Sequence, residues 1–105
     1  MLRIHDDMLS AISMLCPFVA KIHAHDRGLA TQLREAASSV ALNISEGSGG
    51  RGGTRRERYS TALGSARETM SCLAVATRWG YVGPASDELT RTMNRVIGTL
   101  VRVTR

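Results

Sequence analysis

Aromatic residues are scarce in this sequence of 105 residues. Phe, Trp and Tyr together make up 4% of the chain, although 43% of it is hydrophobic. A core of this composition must be built from Leu, Ile, Val, Met and Ala. Such a core favours helices, because β-sheets depend on aromatic and β-branched side chains. The length suits one domain with one modest core.

Cysteines and long apolar runs are also few. Cys16 and Cys72 are too far apart for a disulfide framework, and no Cys-x-x-Cys pair occurs, so two buried thiols are expected. No run approaches the roughly 18 apolar residues of a membrane span. Asp6 and Asp7 stand where a signal peptide would be apolar. The sequence therefore predicts a cytoplasmic protein with no membrane partner.

Lysine is nearly absent, since Lys21 is the only one among 14 basic residues. The net charge of +5 comes from the second half of the chain, where ten arginines outnumber four acids. Arginine has a planar fork that suits phosphate. The charge favours an anionic partner, although a GC-rich coding sequence produces the same arginine excess.

Four segments repeat apolar residues every three or four positions, the spacing of one helix face. The first runs from Met8 to Ile22 and the last from Leu89 to Val103. No segment reads as a strand. We expect one domain, 1–105, with helices over about 6–24, 27–47, 55–79 and 86–104. Their lengths and short connections predict an all-α, antiparallel up-down four-helix bundle.

Asp6 or Asp7 is predicted to be the N-cap of the first helix, and Thr54 forms a capping-box pattern with Glu57 at the start of the third. The second helix is expected to begin at Asp26, and Pro84 and Ser86 mark the start of the fourth. Gly47 and the glycines after it are expected to end the second helix, and Gly80 the third. Pro17 is expected to kink the first helix or end its first part.

The chain predicts tight internal packing and a covered outer surface. Gly64 and Ser65 fall in mid-helix, where Gly costs about 1 kcal/mol relative to Ala. We therefore expect a neighbouring helix to approach closely there with its small residues 36–38. The apolar faces of the first and last helices are wider than one seam, which suggests that other subunits cover them.

The stretch from Gly47 to Gly53 contains five of the ten glycines. It lacks the Lys and the preceding strand of a P-loop. One Arg among glycines is weak evidence for an RNA-binding arm. We interpret the stretch first as an interhelix turn and second as a flexible basic contact.

A second basic feature lies on the fourth helix, where four arginines recur at intervals of four, seven and three residues and share one face. Such a stripe matches a surface that follows a phosphate backbone, although a solvated polar face has the same pattern. The predicted nucleic-acid-binding residues are Arg51, Arg55, Arg56 and Arg58 of the turn, and Arg91, Arg95, Arg102 and Arg105 of the stripe.

No catalytic residue is predicted. His23 and His25 could share a metal only with help from elsewhere, for example from His5, Asp6 and Asp7, and no cofactor site is expected. The polar residues Asn43 and Glu46 continue beside the apolar stripe of the second helix, where Arg34, Arg56 or Arg67 could pair with them. The residues predicted to form a structural network are Asn43, Glu46, Gly64, Ser65 and Glu68.

Four motifs carry a family resemblance. "LREAASSVALNISEG" (Leu33–Gly47), "RRERY" (Arg55–Tyr59), "ALGSARE" (Ala62–Glu68) and "RWGYV" (Arg78–Val82) resemble the four-helix bundle proteins of ribosomal RNA intervening sequences. The resemblance covers about residues 26–82. Ser48 and glycines replace the aromatic that usually follows the Glu-Gly pair, so a looser turn is expected here.

The resemblance implies an up-down four-helix bundle that assembles into a homopentameric ring, with no catalytic residues. A related branch, the accessory proteins of diversity-generating retroelements, implies basic pentamers that bind nucleic acid and a reverse transcriptase. We expect a non-enzymatic ring that binds RNA or DNA through phosphate contacts. The alternatives are a scaffold for a protein partner such as a polymerase, and a metal- or cofactor-binding bundle.

Overall fold

The computed structural model describes residues 3–105, and the regular structure within that range is entirely helical. Helix α1 spans Ile4–His25, α2 spans Arg27–Gly49, α3 spans Gly52–Arg78 and α4 spans Asp87–Val103. The predicted all-α class and the four helices are confirmed. The largest differences from the predicted bounds lie around the glycine-rich stretch, where α2 continues to Gly49 and α3 already begins at Gly52.

Each helix packs against two others: α1 and α3 both contact α2 and α4. Only Asp26 separates α1 from α2, and only Gly50 and Arg51 separate α2 from α3. Contacts between α2 and α3 pair residues in opposite order, with Ser39 beside Ser65 and Glu46 beside Arg58. These contacts are those expected of an up-down bundle.

The core is built from aliphatic and methionine side chains of all four helices. Among the largest fully buried residues are Met8, Leu15, Leu33, Met93 and Leu100. Each such side chain contributes roughly 1.5–3 kcal/mol relative to an exposed one. One aromatic residue, Tyr59, is also buried in this cluster.

The interface between α2 and α3 is the most extensive of the four, and small residues line it. Ser39 Oγ and Ser65 Oγ lie 2.8 Å apart and share a hydrogen bond. The close approach predicted at Gly64 is wrong, because Gly64 is exposed and a Cβ there would have no atom within 4 Å. The close approach occurs at Gly47, where a Cβ would collide with the Tyr59 ring.

Asp26 and Ser86, which mark the predicted starts of the second and fourth helices, are the N-caps of α2 and α4. Asp26 Oδ1 accepts a hydrogen bond from the Leu29 N–H at 2.9 Å, and Ser86 Oγ accepts one from the Leu89 N–H at 3.1 Å. Each side chain pairs one of the backbone donors that a helix start leaves without a partner.

The two N-cap predictions, at Asp6 or Asp7 and at Thr54, are wrong. The N-cap of α1 is Arg3, so Asp6 and Asp7 lie in the first turn, where their charge favours the helix dipole. The N-cap of α3 is Arg51, without a side-chain hydrogen bond, and Thr54 and Glu57 lie inside the helix. The glycines before Thr54 are helical, which moves the helix start away from the capping box.

Three other predicted boundaries had different outcomes. Helix α1 continues past Pro17 to His25, so it does not end at the proline. Gly47 lies inside α2, which ends at Gly49. Gly80 directly follows the C-cap of α3 with φ of +78°, as predicted. The glycine-rich turn is short, with Gly50 and Arg51 alone outside the helices.

Candidate nucleic-acid interface

Exposed arginines collect at one end of the bundle, where α1 and α3 start and α2 and α4 finish. Side-chain contacts connect the helix ends here: Arg58 reaches Glu46, and Arg56 reaches the carbonyl of Thr104. We call this region the basic end. Its seven arginines are Arg3, Arg51, Arg55, Arg56, Arg58, Arg102 and Arg105, and its four acids are Asp6, Asp7, Glu46 and Glu57.

Two of these arginines bind helix C-termini. Arg55 Nε donates to the Gly50 carbonyl at 3.1 Å, just past the end of α2. Arg56 Nε and Nη2 donate to the Thr104 carbonyl at 3.3 and 3.2 Å, at the end of α4. A cation at a helix C-terminus donates hydrogen bonds to carbonyls that have no partner within the helix. It also interacts favourably with the negative end of the helix dipole. Both side chains stay exposed, so they retain further N–H donors for another acceptor.

Two of the residues predicted to form a polar network, Glu46 and Asn43, make side-chain contacts with partners other than those predicted. Glu46 Oε2 pairs with Arg58 Nη1 at 3.0 Å, and the two side chains are 57% and 50% exposed, so the pair contributes little to stability. Asn43 Nδ2 donates to the backbone carbonyl and the hydroxyl of Ser39 at 2.9 and 3.1 Å. Ser39 in turn meets Ser65.

Glu68 does not join this network. It is exposed and makes no hydrogen bond or ion pair with the rest of segment 3–105. The predicted partners Arg34, Arg56 and Arg67 do not bind Asn43 or Glu46, because Arg58 occupies the position next to Glu46 one helix away.

The arginine stripe on α4 spans about half of the 42 Å length of the bundle. Arg91 lies near the start of the helix and Arg105 beyond its end, about 21 Å apart at 1.5 Å per residue. Arg95 Nη2 contacts Asp7 Oδ1 at 3.4 Å, and Arg102 Nη2 donates to Thr99 Oγ1 at 3.1 Å. Arg105 and Arg102 belong to the basic end, whereas Arg91 lies at the opposite end.

A groove of about 430 Å³ runs between α1 and α4 beside the stripe. Arg3, Arg95 and Arg102 line it, together with one acid, Asp7. Arg3 was missed by sequence reasoning because it precedes the first periodic segment and lies in the less basic half. Antiparallel packing of α1 on α4 was the signal that could have found it, because that packing brings residue 3 close to residue 102.

A second groove, of about 570 Å³, lies between α1 and α2 and is mostly apolar. Ile12, Leu15, Val19, Leu33 and Ala37 contribute its apolar wall, and the exposed Cys16 and Ala20 lie along it. Leu9, 47% exposed, extends the apolar surface of α1. With a mean hydropathy of 1.2 over its most apolar 18 residues, α1 is long and apolar enough to cross a membrane. Core helices of soluble proteins also reach this length and hydropathy.

The thiols and histidines form no metal site in the described range. No three His, Cys, Asp or Glu side chains of residues 3–105 lie together in a way that could hold a metal ion. His5 and His23 lie about 27 Å apart, because α1 is continuous between them. Burial, and secondarily the charge of Glu68, raises the pKa of the Cys72 thiol, so this buried thiol stays protonated and unreactive at neutral pH.

The family is decided by a match over most of the chain. Residues 11–102 match the model of the 23S rRNA-intervening sequence protein. The chain belongs to that family. This match confirms the resemblance seen in the motifs. The motifs cover about residues 26–82, whereas the match to the 23S rRNA-intervening sequence protein family also includes most of α1 and α4.

A solved structure has the same fold. It is described as a protein with unknown function from the S23 ribosomal protein family of Bacteroides thetaiotaomicron, and it superposes with a TM-score of 0.78. The match covers 97% of this chain and 98% of that one at 16% sequence identity, which shows a shared fold alone. No curated protein matches the sequence.

Proposed function

We propose that this member of the 23S rRNA-intervening sequence protein family is a non-enzymatic, cytoplasmic protein that binds RNA or DNA through phosphate contacts. The observation that carries the proposal is the basic end, where seven arginines from the two termini and the glycine-rich turn gather against four acids. A surface of this kind neutralises phosphates and releases their counterions, with little preference for sequence.

The intramolecular contacts of these arginines support a prepared surface. Arg55 and Arg56 are held by helix C-termini, so binding a phosphate costs less side-chain entropy than it would for a free chain. Arg51 and Arg105 are exposed, and their side chains make no hydrogen bond or ion pair within residues 3–105. We expect these two to contact phosphate directly, with Arg55 and Arg56 beside them.

We further propose that copies of the chain assemble into a ring, expected to be a pentamer, through the apolar groove between α1 and α2. The groove and Leu9 form a continuous apolar surface on the outside of the bundle. Covering such a surface is favourable by about 25 cal/mol per Å². A ring would repeat the basic end around its axis and multiply the weak contacts of one subunit.

Salt dependence tests the nucleic-acid proposal. We expect fluorescently labelled RNA and DNA to bind at low salt, with an affinity that falls linearly on a log–log plot against salt concentration. Replacing both Arg51 and Arg105 by Gln should lower the slope by about 2 per subunit, since each phosphate contact contributes about 0.9 on duplex DNA.

Arg67→Gln is the matched control. Arg67 is exposed on α3, away from the basic end, so this substitution removes one positive charge outside the proposed binding surface. We expect it to leave the slope nearly unchanged. An absence of binding at low salt, or an equal loss in the control, would contradict the proposal.

A second candidate function, a scaffold that docks a protein partner such as a polymerase, is favoured by the apolar groove. A partner helix could fill the groove with apolar residues at helical spacing. In that case the affinity for the partner would depend weakly on salt, and Ala20→Glu in the groove would abolish it while the arginine variants would not.

A further inference from the structure

Three rings form a stack at the end of the bundle opposite the basic end. The rings of His25 and Tyr81 are nearly parallel, with centroids 5.0 Å apart and an interplanar angle of 6°. Trp79 continues the stack, its centroid 6.5 Å from that of Tyr81 at 18°. The chain has four Phe, Trp and Tyr residues in all, and two of them, Trp79 and Tyr81, belong to this stack.

The backbone fixes the position of these rings. The Gly80 N–H donates to the Thr77 carbonyl and the Tyr81 N–H to the Ala76 carbonyl, the two hydrogen bonds of a Schellman motif. Tyr81 packs against the hydrophobic core, and the next residue, Val82, is buried. His25 is the last residue of α1, directly before the N-cap of α2. The stack is therefore held by the end of α1, which carries His25, and by the turn after α3, which carries Trp79 and Tyr81.

Trp79 is exposed despite this anchoring. It is 71% accessible, the most exposed of the large hydrophobic residues that the structure describes. Its contact with Tyr81 leaves most of the indole open to solvent. A fixed stack with an open outer ring has the form of a platform onto which another planar group can stack.

We propose that this platform binds a base of single-stranded nucleic acid, at a site separate from the basic end. This inference rests on the proposed function and narrows it to a class of ligand. Only unpaired bases have free faces, so the platform favours single strands over duplexes. Stacking is tolerant of sequence because every base has a π-face.

The charges near the platform suit this ligand. Arg78 directly precedes Trp79, and Arg27 begins α2 after His25; both are exposed. The acids at this end lie at helix starts, where the dipole favours their charge. Asp26 accepts the Leu29 N–H, and Asp87 and Glu88 are exposed in the first turn of α4. Phosphates beside a stacked base thus meet free arginines.

The single tryptophan makes the site directly measurable. We expect short oligothymidylate to quench the fluorescence of Trp79, and a duplex of equal length to bind without quenching. The quenching should persist when Arg51 and Arg105 are both Gln, because those residues lie at the other end of a bundle 42 Å long.

Two substitutions at Trp79 distinguish stacking on an aromatic ring from contact with an apolar side chain. Trp79→Leu should weaken single-strand binding by about 5- to 150-fold, measured by anisotropy of a labelled strand, and Trp79→Phe should restore most of it. Leu42→Ala is the control, since it removes an exposed apolar side chain, 63% accessible, about 22 Å along α2 from the helix start beside His25. Circular dichroism should show that all three variants are folded.

Each outcome decides between the two proposals. Binding without quenching, or an equal loss in the Leu42 variant, would refute the platform and leave the basic end standing. No binding of any nucleic acid at low salt would refute both. A shift of Trp79 emission to shorter wavelength on assembly alone, with no later response to oligothymidylate, would assign the platform to a subunit contact and refute our inference.

Discussion

At the scale of single residues, Gly47 of α2 is the glycine with the least room for a side chain, because Tyr59 of α3 packs on it. The Tyr59 ring is 5% exposed and lies directly on the Gly47 backbone, so that a Cβ at position 47 would come within 3.0 Å of the ring. The Tyr59 hydroxyl also meets Ser48 Oγ at 3.4 Å. Because the ring is enclosed, it has no free space into which it could move.

This contact predicts opposite effects for two Gly→Ala substitutions. Gly47→Ala should destabilise the protein by about 1–3 kcal/mol through overpacking against Tyr59. Gly64→Ala should stabilise it by up to about 1 kcal/mol, because Gly64 is helical and a Cβ there has no atom within 4 Å. Denaturant unfolding of both variants measures the difference; a Gly47→Ala variant as stable as the parent would contradict the assigned packing.

The sequence identified the small-residue interface but not the glycine that serves it. Gly64 and Gly47 are both surrounded by helical periodicity, and the pattern gives each a face only to within one or two positions. The rotation of α3 that points Ser65 toward Ser39 also points Gly64 to solvent. The packing of large side chains such as Tyr59 sets this rotation. Helix propensity carries no information about such packing.

At the scale of elements, the end of α3 is determined by Gly80. Its φ of +78° lies in the left-handed region, where a side chain costs roughly 1–2 kcal/mol. The Schellman hydrogen bonds require this conformation and give the α3–α4 connection its direction. The same turn positions Trp79 and Tyr81.

Gly80→Ala should therefore destabilise the protein by about 1–2 kcal/mol. Gly83→Ala, three residues along, is the matched control: Gly83 has no left-handed φ and no atom within 4 Å of a Cβ, so its change should be within about 0.5 kcal/mol. Thermal unfolding monitored by circular dichroism compares the two. Equal effects would show that the turn does not depend on the glycine conformation.

The starts of α2 and α4 were predicted to within one residue, because Asp26 and Ser86 come shortly before an apolar stripe. Both residues cap their helices. Prediction failed at Thr54 because the two glycines before it entered the helix, and at Asp6 and Asp7 because α1 begins two residues earlier. A capping motif fixes a helix start only where the residues before it cannot be helical.

At the scale of the whole molecule, the basic end could be foreseen only in part. The turn arginines were evident from the sequence, but Arg3 joins them because α1 starts where α4 finishes. The stripe on α4 proved to be divided, with Arg91 at the far end and Arg95 occupied by Asp7. Charge periodicity locates a face of one helix, whereas a shared surface depends on which helix ends meet.

The apolar groove between α1 and α2 leads to a prediction about assembly. Ala20 lies along this groove and is exposed in a single chain, so a glutamate at position 20 should fold normally. In an assembly that covers the groove, the same carboxylate would be buried without a partner, at a cost of several kcal/mol. We therefore expect Ala20→Glu to dissociate the assembly while its helix content and core packing persist.

Ala74→Glu is the matched control, because Ala74 is an exposed alanine on α3, away from the groove. Sedimentation velocity at several concentrations should find the parent and the Ala74 variant assembled and the Ala20 variant monomeric. The exposed thiol of Cys16, which also lines the groove, gives an independent measure. Its alkylation should be slow in the assembled parent and fast in the Ala20 variant, while the buried Cys72 stays unreactive in both. A parent that sediments as a monomer with a freely reactive Cys16 would refute assembly through this groove.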